Sequence, residues 1–115
     1  MKLFVYGTLR MGESRAFFLE DDNESVYIDE VNTAPNYKLV NLGSFPALVE
    51  GGNQSVVGEL WEITDFVKKG LDTIEGVPYL YMDKEIELED GTKAISYVMQ
   101  DKGYPIIESG DWFDK

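Results

Sequence analysis

Neither cysteine nor histidine occurs in this 115-residue chain. Without cysteine there is no disulfide, no thiolate nucleophile, no cysteine-ligated zinc finger and no iron–sulfur cluster. Without histidine there is no Ser-His-Asp triad and no histidine-ligated zinc. Acid/base chemistry near neutral pH then falls to a carboxylate with a raised pKa, a lysine with a lowered one, or a tyrosine. Positive charge is also scarce. Ten basic residues face 22 acidic ones, a formal net charge of -12, and only Arg10 and Arg15 are arginines. Such a surface repels nucleic-acid phosphates and anionic membranes. No apolar run approaches the roughly 18 residues of a membrane span, and Met1–Tyr6 lacks the pattern of a signal peptide. These absences lead us to expect a cytoplasmic protein that binds neither nucleic acid nor membrane. It is expected to form one domain over residues 1–115, as a monomer or weak homodimer, with a core that needs no crosslinks.

What is present reads as short strands and two helices. Leu3–Tyr6 is an apolar run ending at Gly7, as an interior strand before a tight turn does. Residues 11–19 suggest a helix, and the polar residues 21–25 a loop. Val26–Thr33 is a strand expected to turn Val26, Ile28 and Val31 inward. A further strand follows the Pro35-Asn36 turn, and Ala47–Val49 is apolar up to the turn at Glu50–Asn53. Ser55–Ile63 is the strongest strand in the middle of the chain, with Gly58 at a bulge or close approach. Thr64 caps a helix with Asp65 in its first turn, and Phe66, Val67, Leu71 and Ile74 recur at helical spacing. Gly76 and Pro78 stop it. Lys84–Glu89 alternates strictly and turns at Asp90-Gly91 into a partner strand, Thr92–Met99, which makes a hairpin. Gly110-Asp111-Trp112 has the look of an exposed tail. Strands that do not alternate with helices favour an α+β fold with a mixed or antiparallel sheet, which can curl into a barrel.

Two segments stand out chemically. Tyr6-Gly7-Thr8-Leu9 follows the first strand, where a glycine lets backbone N–H groups approach a ligand and form an anion-binding nest. A plain strand-to-helix turn is the alternative. Glu75 stands at the end of an apolar helix among Ile74, Val77 and Pro78. Partial burial and the negative end of the helix dipole would both raise its pKa and make it a base near neutral pH. A surface carboxylate beside a helix cap is the alternative. Phe45, Tyr79, Tyr81, Trp61 and Trp112 are aromatic residues able to wall a pocket or simply pack. Glu85, Glu87 and Glu89 share one strand face opposite Ile86 and Leu88, so they read as a solvated face. Asp21, Asp22 and Glu24 lack calcium-loop spacing, and we assign no metal.

Taken together, these segments resemble a known family. Val5-Tyr6-Gly7-Thr8-Leu9-Arg10-Met11-Gly12 is similar to the opening motif of the γ-glutamylcyclotransferase-like (AIG2-like) group, which includes γ-glutamylamine cyclotransferases. Leu71-Asp72-Thr73-Ile74-Glu75-Gly76 with the following tyrosines resembles its later block. Phe45–Val49, Val57–Trp61 and Gly110-Asp111-Trp112 are similar to its middle and closing elements, in the same order. The resemblance implies a small mixed barrel, Glu75 as the catalytic group, and Tyr6, Gly7, Thr8, Leu9 and Tyr81 around a small-molecule γ-glutamyl substrate. It implies release of 5-oxoproline and a free amine, with no cofactor. A pocket that binds a small carboxylate without turnover, and a hydrolase that uses Glu75 to activate water, are the rival readings. Two positions depart from the pattern. Arg15-Ala16 stands where many members have asparagine-histidine, and Asp83 where many have arginine.

Overall fold

The first strand is the middle of the sheet. In the computed structural model, which describes residues 1–115, β1 (Lys2–Val5) lies antiparallel to β5 (Val57–Glu62) on one edge and parallel to β7 (Lys93–Val98) on the other. The remaining strands are β2 (Val26–Asn32), β3 (Tyr37–Asn41), β4 (Pro46–Glu50) and β6 (Met82–Glu87). The order is β2-β5-β1-β7-β4-β3, and β6 pairs with β7 as the expected hairpin. Both parallel and antiparallel ladders occur, so the sheet is mixed. It curls without a closed ladder: only the bridge between Thr33 and Leu88 ties the end of β2 to the end of β6. No helix is long and apolar enough to cross a membrane.

Strand alternation divides the apolar residues between two layers. Leu3 and Val5 face Leu19, Leu71 and the half-buried Val67 and Ile74 on the helical side. Phe4 and Tyr6 face Leu39, Leu48, Leu60, Ile86, Val98 and Trp112 inside the curl. Gly58 is the close approach expected of it. A Cβ there would lie 2.4 Å from the Val5 carbonyl oxygen and 2.5 Å from the Phe4 ring, so only glycine lets β5 lie against β1. Helix α2 (Asp65–Ile74) begins at Thr64, whose hydroxyl accepts the Val67 N–H at 3.2 Å. It ends where Gly76 takes φ 68°.

Several expectations need correction. Helical backbone spans only Phe17–Glu20, labelled α1, and residues before it form turns. Val26 and Ile28 point outward, at 56% and 44% exposure. A register shift between Tyr27 and Asp29 bulges this edge strand and breaks its alternation. Phe66 is exposed, and the helix instead buries Lys68 with Leu71. Gly110 and Trp112 are buried rather than exposed. Trp112 packs inside the curl and its indole N–H donates to Glu13 Oε1 at 2.8 Å.

Candidate active site

A fork in the sheet creates a cavity lined by the candidate residues. One edge of β7 is shared by two parallel strands: β1 pairs at Ile95 and β4 pairs at Val98. Where the two diverge, Val5, Tyr6, Pro46 and Tyr97 line a concavity that opens to solvent. Buried hydroxyls brace the fork. Ser96 Oγ donates to the Phe4 carbonyl at 2.8 Å, the Tyr6 hydroxyl to the Tyr97 carbonyl at 2.5 Å, and the Tyr81 hydroxyl to the Pro46 carbonyl at 2.7 Å.

The turn after β1 forms one wall. Gly7, Thr8 and Leu9 all line the cavity. The turn is closed by the Arg10 N–H, which donates to the Gly7 carbonyl at 3.0 Å, and by the Arg15 N–H, which donates to the Thr8 carbonyl at 2.8 Å. The N–H groups of Gly7, Thr8 and Leu9 themselves have no backbone acceptor. Three consecutive unpaired donors on one concave wall suit an anionic group. The side chains of Tyr6 and Leu9 belong to the two cores, so their part in the wall is mainly to place backbone.

Gly7 lies against Pro46, and a Cβ on it would meet the ring carbons Cγ and Cδ at 2.6 and 2.8 Å. The proline ring is stiff, so the turn must retreat if Gly7 gains a side chain. Gly7→Ala is expected to cost about 1–3 kcal/mol of stability, the usual scale for overpacking. The readout is a lower urea midpoint at an unchanged slope. An unshifted midpoint would show that the turn and Pro46 have room to separate.

Behind the turn lies a buried charge cluster. Arg10 is 2% exposed. Its Nη1 donates to Asp111 Oδ1 at 2.8 Å, and its Nε lies 3.5 Å from Glu59 Oε2. Its guanidinium covers the Phe113 ring at 3.8 Å. Glu59 in turn accepts the Met11 N–H at 3.0 Å and the Trp61 indole N–H at 3.2 Å. The closing segment is thus fastened to the first turn, which is why it is buried.

Glu75 is the C-cap residue of α2, with its N–H donating to the Leu71 carbonyl at 2.8 Å. It is 8% exposed and lines the same cavity as the turn. Burial pushes its carboxyl pKa up, and the nearby Arg15 guanidinium pulls it partly back. No hydrogen bond stabilises its charge. Burial also pushes the phenols of Tyr6, Tyr81 and Tyr97 up, away from neutral pH. Among these groups, only Glu75 moves toward the range where a proton is readily exchanged at neutral pH.

The structure therefore brings Tyr6, Gly7, Thr8, Leu9, Glu75 and Tyr81 together around one cavity. Phe45 lines it as well, whereas Tyr79 is 96% exposed and Trp61 and Trp112 are core residues. Two polar lining residues, Arg15 and Tyr97, were not assigned to the site from sequence. Tyr97 could be suspected only from its place on the hairpin strand. Its hydroxyl donates to Asp72 Oδ1 at 2.8 Å, and Lys68 Nζ bridges Asp72 and Asp83 at 2.6 and 2.8 Å. Asp83 is thus an ion-pair partner behind the cavity rather than part of its lining. Hydrogen bonding to Lys68 holds the Asp83 carboxyl below its ordinary value, and the Lys68 ammonium is held up against the effect of its own burial. Asp22 accepts from the Glu24 N–H and the Ser25 hydroxyl within its own loop.

Known proteins resemble this chain in sequence and fold. The family described as "Gamma-glutamyl cyclotransferase, AIG2-like" matches residues 3–114. A Vibrio cholerae protein, named provisionally for γ-glutamylcyclotransferase, is 41% identical over 112 residues, or 96% of this chain and 93% of that one. The γ-glutamylaminecyclotransferase B of Danio rerio is 34% identical over 93 residues, covering 76% of this chain and 49% of its own length. The crystal structure of an AIG2-like protein from Mus musculus superposes with a TM-score of 0.75 at 25% identity, over 85% of this chain and 76% of that one.

Proposed function

The chain belongs to the γ-glutamyl cyclotransferase, AIG2-like family, and from that premise we propose that it cyclises a γ-glutamyl amine or γ-glutamyl-amino acid to 5-oxoproline and a free amine. The observation that carries this reading is that the buried Glu75 and a turn of three unpaired N–H groups line one cavity. Glu75 supplies a proton acceptor and the turn holds an anion.

The substrate's α-amine is the nucleophile and its γ-carbonyl carbon the target. At neutral pH the amine arrives as an ammonium ion. Glu75 takes one proton from it, and the freed amine closes on the γ-carbon. The new C–N bond leaves the ring nitrogen with one proton too many and the leaving nitrogen one short. Glu75 hands its proton to the leaving nitrogen as the old amide bond breaks, and then takes the surplus proton from the ring nitrogen. A second transfer leaves the departing amine as an ammonium ion. No water is consumed. The turn's N–H groups hold the α-carboxylate, which keeps the glutamyl chain curled for an intramolecular attack. Tyr81, Tyr97 and Phe45 wall the chain in. The reaction draws on no cofactor.

Incubation with γ-glutamyl-amino acids and γ-glutamylamines, γ-glutamyl-ε-lysine among them, tests the reading. 5-Oxoproline is the expected product. Free glutamate in its place would identify a hydrolase, and no turnover of any member would identify a binding protein.

A pH profile follows from the position of Glu75. It acts only when ionised, so kcat/KM is expected to rise with pH on the acid side. Burial places the midpoint above the ordinary glutamate value of 4.5. Removing the Arg15 charge is expected to move it higher still, because Arg15 favours the ionised form. An acid limb at the ordinary value in both proteins would remove Glu75 from the proton path.

A further inference from the structure

Arg15 is the one cation lining the cavity, in a protein whose formal net charge is -12. Nine ion pairs occur in the molecule, and Arg15 enters none of them. The other arginine, Arg10, is buried among carboxylates behind the turn. Arg15 is exposed, whereas Glu75 is buried, so the two charges stand at different depths of the same cavity. The Arg15 backbone is fixed to the turn through its N–H bond to the Thr8 carbonyl.

Depth and reaction order together place the two ends of the substrate. The α-amine must reach the buried Glu75, so the glutamyl part enters first. The leaving group must depart, so it trails toward the mouth. There it meets Arg15 with the half-buried Phe45 and the exposed Leu80. The turn's free N–H groups already provide for the α-carboxylate, which leaves the guanidinium for a second anion. A guanidinium offers planar paired donors matched to a carboxylate. It also repels a leaving group that carries an ammonium tail.

Resting on the cyclisation reading above, we propose that Arg15 is a specificity residue that selects γ-glutamyl compounds whose leaving amine bears a carboxylate, γ-glutamyl-α-amino acids, over γ-glutamyl derivatives of simple amines. The apolar side chains beside it suit an amino acid with a small apolar side chain.

Two probes isolate the charge. γ-Glutamyl-alanine and γ-glutamyl-ethylamide differ only in the carboxylate on the carbon next to the leaving nitrogen. The intact protein is expected to favour γ-glutamyl-alanine by about ten-fold or more in kcat/KM at low ionic strength, the scale of one charge-assisted contact. Arg15→Gln is expected to bring the ratio toward one and Arg15→Lys to leave it between the two. About 0.5 M salt should shrink the ratio in the intact protein. A change in folding or in Glu75 ionisation acts on both substrates and cancels in the ratio. A ratio near one in the intact protein, with brisk 5-oxoproline release, overturns the selection and leaves the cyclisation standing. A ratio that survives Arg15→Gln while both rates fall together also overturns it, because Arg15 then holds the shared glutamyl part. No 5-oxoproline from either probe removes the reaction, and the selection with it.

Discussion

Glu75→Gln is expected to lower 5-oxoproline release by at least ~100-fold, the usual scale for a general base, while raising the melting temperature. The two effects have one cause. The amide cannot take a proton from the substrate ammonium. Yet the carboxylate it replaces is buried without a hydrogen bond, and its pKa is raised by that burial. A carboxyl that binds its proton more tightly when folded contributes stability that is whole below its unfolded pKa. That contribution is lost as pH rises through its folded pKa. At neutral pH the ionised Glu75 therefore works against folding, and glutamine relieves it. The expected gain in melting temperature shrinks below the unfolded pKa of glutamate, where both proteins carry a neutral group. Comparable turnover by the variant would sink the assignment. A lower melting temperature at neutral pH would mean that the carboxylate makes a stabilising contact in solution.

The second large effect concerns stability. Arg10→Met keeps much of the side-chain volume but removes the charge between Glu59 and Asp111. Glu59 is 4% exposed and stays buried with only its N–H partners. A loss of about 3 kcal/mol or more is expected, the scale for stripping one partner from a buried pair. Urea unfolding measures it. Adding Glu59→Gln should recover part of the loss, a coupling that a double-mutant cycle reads directly. A loss under about 1 kcal/mol would class the cluster with surface ion pairs. Because Glu59 also fixes the Met11 N–H, the variant is expected to loosen the Gly7–Leu9 turn and weaken substrate binding.

Features governed by nearest neighbours were legible in the sequence. The Asp90-Gly91 hairpin, the Thr64 cap and the Gly76 stop each depend on residues within a few positions, and each forms as expected. The close approach at Gly58 was readable because a lone glycine in a strong strand has few other uses. Glu75 and the Gly7 turn were readable only as a pair, since each alone looks like an ordinary cap or turn. Features set by distant partners were not readable. Trp112 looked exposed because nothing near it reveals Arg10 or Glu13, about a hundred residues earlier. The outward turn of Val26 and Ile28 comes from a bulge at a sheet edge, where alternation is cheapest to break. Arg15 and Tyr97 reach the cavity only through the fork between β1 and β4. Asp83 could be flagged as unusual, but its partner Lys68 lies 15 residues earlier on α2, and nothing local joins the two.

The central position of β1 also bears on how the chain comes off the ribosome. Residues 2–5 emerge well before their two neighbours in the sheet, residues 57–62 and 93–98. A nascent chain must therefore carry Leu3, Phe4 and Val5 without their native partners until those strands have been made. The fork needs β7 and the turn needs Asp111, so the cavity cannot form before those residues have been made. Such non-local pairing slows folding and leaves an apolar strand open to wrong partners meanwhile. The abundance of negative charge acquires a use in that interval, since it keeps half-made chains apart before there is any cavity to serve.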